Sequence, residues 1–353
     1  MTSRSNTDRP NRLFFHKSNG PVDDCIERLI GMAGGVHRPE LIREMIIAAL
    51  KAGQEGDDPA GLRLMNTTLK EMRFTNKVFG PYRDVKKVTV FGSARTKPED
   101  PAYLMAAELG KALKDAGYMV ITGGGPGIMQ AVNEGAGAEH SFGVNIRLPF
   151  EQKSNPVIDG NPRSITYKYF FNRKVAFLKE AHAVAPFPGG FGTLDEAMET
   201  LTLVQTGKGN LMPLVLIDPP GSVYWAQWLG FLKTELMDHG YISPQDFHLF
   251  ERVETVQAAV NTIGRFYRRF HSIRFVDETL VLRLTSPVSA ETIAQLHQRF
   301  SDILVPGGEM RLSGPLPEEA NEPELADFPR VVLDFDRKHF GRLRQLVDAL
   351  NAA

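Results

Sequence analysis

Cysteine is almost missing from this chain: Cys25 is the only one in 353 residues. A lone thiol excludes an internal disulfide, and no CxxC pair or clustered Cys/His spacing offers zinc a ligand set. The expectation is a reducing cytoplasm, with no metal and no cofactor. Long apolar runs are missing too. None approaches the ~20 residues of a membrane span. The polar N-terminus, MTSRSNTDRPNRLFFHKSNG, lacks the apolar core of a secretory signal. Charge of one sign is also absent: the formal net charge is −1, which argues against the basic face of a general nucleic-acid binder. What remains is ordinary soluble composition, 42% hydrophobic and 24% charged, in a chain long enough for two or three domains.

Residues 1–21 read as a flexible tail and 22–79 as a helical arm, in which ELIREMIIAALKAG (40–53) and LRLMNTTLKEMRF (62–74) carry apolar residues at helical spacing. From about residue 80 to 270 strands and helices alternate. KKVTVFGSA (86–94), YMVITGGGPG (118–127), SFGVNIRLP (141–149), HAVAPFPGG (182–190) and PLVLID (213–218) read as strands or strand-to-loop steps. YLMAAELGKALKDAG (103–117), IMQAVNEGAGA (128–138), SITYKYFFNRKVAFLKEA (164–181), TLDEAMETLTLVQTG (193–207), WAQWLGFLKTELMDHG (225–240) and VETVQAAVNTIGRFYRRF (253–270) read as helices. Such alternation predicts an α/β fold with a Rossmann-like, doubly wound parallel sheet. Residues 271–353 read as a small α+β domain, with a Pro/Glu-rich loop (314–329) and no concentrated chemistry.

In such sheets ligands bind outside the carboxyl ends of the strands, and three strands here end in Gly/Ser loops. Gly92-Ser93 closes the first. GGGPG (123–127) closes the second; it is neither a Walker A loop nor GxGxxG, because Ile128 and Met129 follow where Gly or Lys-Ser/Thr is required. PGGFGT (188–193) closes the third. Bare backbone lets N–H groups reach an anion's oxygens at a helix start, so two such loops in one sheet point to a phosphate. For one loop alone, a tight turn with close helix–sheet packing accounts for the glycines equally well. Behind the third loop, Thr193-Leu-Asp-Glu196 also spells a capping box, in which Glu196 would only bond back to the Thr193 N–H. Spacing alone favours that role over a catalytic one.

These residues resemble a family. PGGFGTLDE (188–196) matches the PGGxGTxxE signature of the LONELY GUY (LOG) proteins, cytokinin riboside 5′-monophosphate phosphoribohydrolases, and of related bacterial AMP and pyrimidine/purine nucleotide nucleosidases. VTVFGSAR (88–95), VITGGGPGIMQAVNEGA (120–136), FNRKVAF (171–177), VQTGK (204–208) and YISPQD (241–246) resemble further segments of it. The resemblance covers residues 80–270; the arm and the C-terminal domain suggest a longer bacterial branch. It implies that Arg173 and Glu196 are catalytic. It also implies that Lys174, Gly189, Gly190, Gly192, Thr193 and Thr202 contact the nucleotide, and that Glu151 is a further acidic substrate contact. Gly92, Ser93, Gly124 and Gly125 join them as candidate substrate-binding positions. Asp195 stands where the family often has Glu. Proteins of this kind often carry the label lysine decarboxylase, but the sequence makes no positive case for pyridoxal chemistry.

The implied reaction is hydrolysis of AMP or a related nucleotide, including a cytokinin nucleotide, to free base and ribose 5-phosphate. Positive charge builds on the ribose as the base departs, which a carboxylate beside C1′ stabilises. The implied assembly is a homodimer or larger, with no nucleic-acid or membrane partner. The rival reading is a non-catalytic nucleotide or molybdenum-cofactor carrier of the same fold; the intact Arg173/Glu196 pair argues against it.

Overall fold

The computed structural model describes residues 19–56, 58–148 and 153–353. It divides into two compact units, residues 1–70 and 71–353. The first is helical. Prolines set φ at the starts of α1 (Pro21–Ala33), α2 (Pro39–Glu55) and α3 (Pro59–Phe79), the last of which continues into the second unit. Among the described residues of this unit only Ile26 and Ile47 are buried apolar side chains, while Leu29, Met32, Leu41, Met45 and Met65 are exposed.

The second unit holds two sheets. The larger is parallel throughout, in the order β4-β3-β2-β1-β5-β6-β7. Its strands are β1 (Lys87–Phe91), β2 (Met119–Thr122), β3 (Ser141–Ile146), β4 (Ser164–Tyr167), β5 (Ala183–Pro186), β6 (Leu214–Ile217) and β7 (Phe250–Val253). α4 (Pro101–Asp115), α5 (Ile128–Ala136) and α9 (Val256–Phe266) cover one face. α6 (Phe170–Lys179), α7 (Phe191–Gln205) and α8 (Tyr224–Phe231) cover the other, with the end of α3. β1, β2, β5 and β6 are buried at every residue, as strands covered on both faces must be. Strand order reverses between β1 and β5, and that junction opens a crevice at their carboxyl ends.

The smaller sheet is antiparallel, in the order β10-β11-β9-β8, built from β8 (Phe270–Val276), β9 (Thr279–Leu284), β10 (Met310–Ser313) and β11 (Arg330–Leu333). α10 (Ala290–Arg299) and α11 (Phe340–Ala352) pack on it. Its core is shared with the first sheet's surroundings: Val204, Leu211, Leu249 and Phe266 lie in one cluster with Leu280, Leu282 and Leu346.

Three expectations are corrected. Residues 164–181 are not one helix: Ser164–Tyr167 is an edge strand with Ile165 and Tyr167 buried and Thr166 exposed, and α6 starts only at Phe170. The helix expected over 253–270 stops at Phe266 and the chain re-enters a sheet at Phe270. The helix expected over 225–240 passes from α-helix into a π-helical stretch at Leu232–Met237. Among the described residues no helix is long and apolar enough to cross a membrane.

Candidate active site

β1 and β5 run side by side, so the loops that leave them meet. The Ser93 N–H donates to the Pro188 carbonyl at 3.1 Å, and the Ile128 N–H at the head of α5 donates to the Ser93 carbonyl at 3.1 Å. All three glycine loops are thereby tied into one floor. The glycines divide by what surrounds them. A Cβ on Gly92 would lie 2.6 Å from the Ile128 side chain, and one on Gly189 would lie 2.2 Å from the Thr193 Oγ1. These two are bare so that the loops can pack. Gly190 and Gly192 have nothing within 4 Å of a Cβ, so their bareness leaves open space.

That space is a cleft of about 730 Å³, walled by Gly92, Ser93, Arg95, Met129, Phe170, Arg173, Gly189 to Glu196, and Tyr224. The head of α7 faces it. Gly190 caps the helix, and its carbonyl accepts the Thr193 and Leu194 N–H groups at 3.0 and 3.2 Å. The N–H groups of Phe191 and Gly192 have no partner within the helix and carry the positive end of its dipole.

α7 begins at Phe191, three residues before the capping-box reading requires. Thr193 is therefore already inside the first turn, and no side chain caps the helix. Glu196 is released from the bland role. It is only 6% exposed, it lines the cleft, and its Oε2 makes no hydrogen bond. The closest cation is the Lys174 ammonium, 3.6 Å from that oxygen. Burial raises the Glu196 pKa to about 7; Lys174 and Arg173 pull it back, and Glu199 and Asp195 push it further up. That oxygen is left with a 3.6 Å ion-pair contact and no hydrogen bond.

Arg173 projects from α6 under the same cleft. Its Nε donates to the Val144 carbonyl at 2.9 Å, and its guanidinium lies over the Phe177 ring at 5.0 Å. It also presses on the second loop, where a Cβ on Gly123 would fall 2.4 Å from Nη2. Burial lowers its pKa, and the Glu196 charge opposes that. The cation is thus fixed beside Glu196 without a direct ion pair, its plane set by packing.

Several candidates sit elsewhere. Lys174 does not wall the cleft; its ammonium is held by Asp195 at 2.8 Å and Glu199 at 2.5 Å as well as by Glu196. Burial works to lower its pKa, but the bonds to Asp195 and Glu199 and the Glu196 charge carry it above its ordinary value. Gly124 and Gly125 are buried beneath the floor, where their carbonyls accept from Asn155 at 2.8 and 3.0 Å. Thr202 is exposed farther along α7, donating to the Met198 carbonyl. Glu151 lies outside the described residues. The sequence reading missed Tyr224, whose hydroxyl donates to the Gly189 carbonyl at 2.8 Å, and Trp225, whose indole N–H donates to the Pro186 carbonyl at 3.1 Å. Together they hold β5's loop from the side of α8. Their only signal was an aromatic-rich helix, which reads as core. Among the described residues no group of three or more His, Cys, Asp or Glu could hold a metal ion.

A protein-family profile described as "Possible lysine decarboxylase" matches residues 128–263. The cytokinin riboside 5′-monophosphate phosphoribohydrolase LOG7 of Arabidopsis thaliana is 28% identical over 193 residues, which span 53% of this chain and 85% of that protein. The enzyme of that name, LOG, from Oryza sativa subsp. japonica is 32% identical over 143 residues, 39% of this chain and 56% of that protein. Among solved structures, the molybdenum cofactor carrier protein of Chlamydomonas reinhardtii is 20% identical, with a TM-score of 0.37, covering 51% of this chain and 97% of that one. The cleft wall from Met129 and Phe170 through Tyr224 falls inside the stretch that the family profile matches, and over that stretch the chain is similar to the LOG phosphoribohydrolases.

Proposed function

We propose that the chain is a nucleoside 5′-monophosphate N-glycosidase, with an AMP-like substrate. The observation that carries this reading is the buried Glu196 carboxyl, whose Oε2 makes no hydrogen bond, lining the same cleft as the bare N-terminus of its helix. The 5′-phosphate sits over Gly190 and Gly192, against the free N–H groups of α7 and near Ser93 and Arg95. Phosphate so held fixes C1′ relative to Glu196, which is catalysis by positioning. The base then lies toward the apolar side of the cleft, where Met129, Phe170 and Phe191 offer faces to it.

In the reaction the C1′–N bond breaks and its electron pair leaves with the base, which takes up one proton from the medium. The carboxylate of Glu196 stabilises the oxocarbenium-like ribose and accepts a proton from the water that adds to C1′. Arg173 lends positive charge that keeps Glu196 ionised as it works. Lys174 is a positioning residue: it ties Asp195, Glu196 and Glu199 into one array. Purified protein incubated with a panel of nucleoside monophosphates is expected to release free base and ribose 5-phosphate, fastest from AMP. Tight binding of AMP with no product under any condition would replace hydrolysis by carriage.

Phe170 and Phe191 wall the cleft, and α6 and α7 carry further exposed apolar side chains. Phe170, Phe171, Val175 and Met198 are exposed, and Phe191 is 92% exposed. We propose that a second copy of the chain covers these side chains, since so many exposed apolar groups on two neighbouring helices suit an interface. Light scattering is expected to give a dimer or larger species, shifted toward monomer by Phe171→Glu. An active monomer at micromolar concentration would rule this contact out.

A further inference from the structure

The central strands have a second cavity at their other ends. Lys86 immediately precedes β1 and His182 immediately precedes β5, and both wall a space of about 530 Å³. Its far side is β8, the edge strand of the smaller sheet, whose register shifts between Phe270 and Ser272. His271 is the extra residue of that bulge, a device that re-aims a side chain, and it lines the cavity.

Of the charged groups on the wall three are basic and two acidic. Neither Arg83 nor Lys86 has an ion pair among the described residues; the Lys86 ammonium instead lies 5.2 Å from the centre of the Tyr267 ring. Lys179 is paired with Glu180 at 2.7 Å. Asp84 and Glu324, both exposed, are the acidic groups of the wall. Both imidazoles are kept neutral, first by burial. Burial lowers the His182 pKa to about 4, with Lys87 and Lys86 adding to the effect, and His271 is lowered by burial and then by Lys86 and Arg283. The observation that favours an anion is geometric: Arg83 and Lys86 both wall the cavity, and neither has an ion pair among the described residues.

The Pro/Glu-rich loop closes this cavity with Leu325 and Phe328, and it is fastened from behind. The Glu319 carboxylate, buried, sits between Arg283 at 2.6 Å and Arg330 at 3.3 Å. Arg330 also donates to the carbonyls of Leu325 and Ala326 at 2.8 and 3.0 Å. Buried ion pairs return little net stability, so the yield of this network is a fixed loop. It places the Phe328 ring 4.6 Å from the centre of the His271 ring.

We propose that the cavity at the amino ends of β1 and β5 is a second ligand site, for a small phosphate-bearing anion with a flat ring. Phosphate meets Lys86, Arg83 and the imidazole N–H groups, and the ring lies against Phe328 and Tyr267. The site is independent of the cleft, which opens at the opposite ends of the same two strands.

The test is calorimetric titration with ADP and, separately, inorganic pyrophosphate. Three proteins are compared: the full-length chain, a Gly190→Asp variant that blocks the cleft, and a double variant, Arg83→Glu/Lys86→Glu, made in that Gly190→Asp background so that cleft binding is removed from the comparison. Binding is expected to persist in Gly190→Asp and to weaken about tenfold or more in the double variant, as the loss of charged hydrogen bonds implies. ADP binding tighter than pyrophosphate supports the ring contact; equal affinities overturn that part of the proposal. Binding lost in Gly190→Asp, unchanged in the double variant, or absent at millimolar ligand overturns the site. Should charge reversal unfold the chain, Lys86→Met keeps the stem on Tyr267 and carries the same expectation.

Discussion

Glu196→Gln is expected to lower kcat by ~10²–10⁴-fold while the protein stays folded, because the amide neither carries the charge nor accepts the proton. Stability should move the other way. The folded-state pKa of Glu196 is raised to about 7 from an ordinary 4.5, so the folded chain holds this proton more tightly than the unfolded chain. Stability is then lost as pH rises from about 4.5 through 7, by on the order of 3 kcal/mol in full. The Gln variant escapes that loss. Its melting temperature should match the wild type near pH 4 and exceed it at pH 8. The same ionisation shapes activity: kcat/KM for the wild type should climb through pH 7 and level above it, and the Gln variant should lack that limb. A Gln variant with near-normal turnover, or one less stable at pH 8, would return Glu196 to a structural role. AMP should bind the variant as before, since the α7 N–H groups are untouched.

AMP should be cleaved at least ~10²–10⁴-fold more efficiently than adenosine, measured as kcat/KM. Each hydrogen bond to a charged group contributes roughly 1.5–3 kcal/mol, and the head of α7 offers two unpaired N–H groups at the open glycines. That binding energy lies remote from the bond that breaks and is used to orient the ribose, so losing it depresses kcat as well as raising KM. Adding inorganic phosphate should partly rescue adenosine cleavage by filling the vacated place. Equal rates on AMP and adenosine would remove the phosphate from the mechanism, and with it the functional reading of the loops.

Much of this site was legible in the sequence. VTV and AVAP are short, wholly apolar runs that end in glycine, and a run buried on both faces has no other reading beside alternating helices. The pairing of β1 with β5 brought Gly92, Ser93 and Gly189 together as expected from strand ends. What failed was local. T-x-x-E is a real capping signal, but Gly190 already supplies an N-cap with open backbone, so the helix starts earlier and the signal goes unused. Ile165 and Tyr167 obey a period of two, yet four residues are too few to outweigh the helical run that follows. Lys174 stands next to Arg173 in sequence, but adjacent helical residues point about 100° apart; one enters the cleft and the other meets three carboxylates. Gly124 is glycine because its φ is positive and a Cβ would run into the Asn145 side chain. Sequence marks a glycine without saying whether protein or empty space replaces its side chain.

The aromatic brace on β5's loop makes the site observable without labels. The chain has two tryptophans, Trp225 and Trp228, set edge to face with ring centres 5.3 Å apart. Trp225 is fully buried and its indole N–H is bonded to Pro186, the last residue of β5, while its neighbour Tyr224 holds Gly189. Any ligand that shifts the glycine loop therefore perturbs the hydrogen bond and surroundings of one of only two emitting indoles. Intrinsic fluorescence becomes a direct optical readout of cleft occupancy, fast enough for stopped-flow measurement of binding ahead of turnover. Trp228→Phe would leave that signal to Trp225 alone.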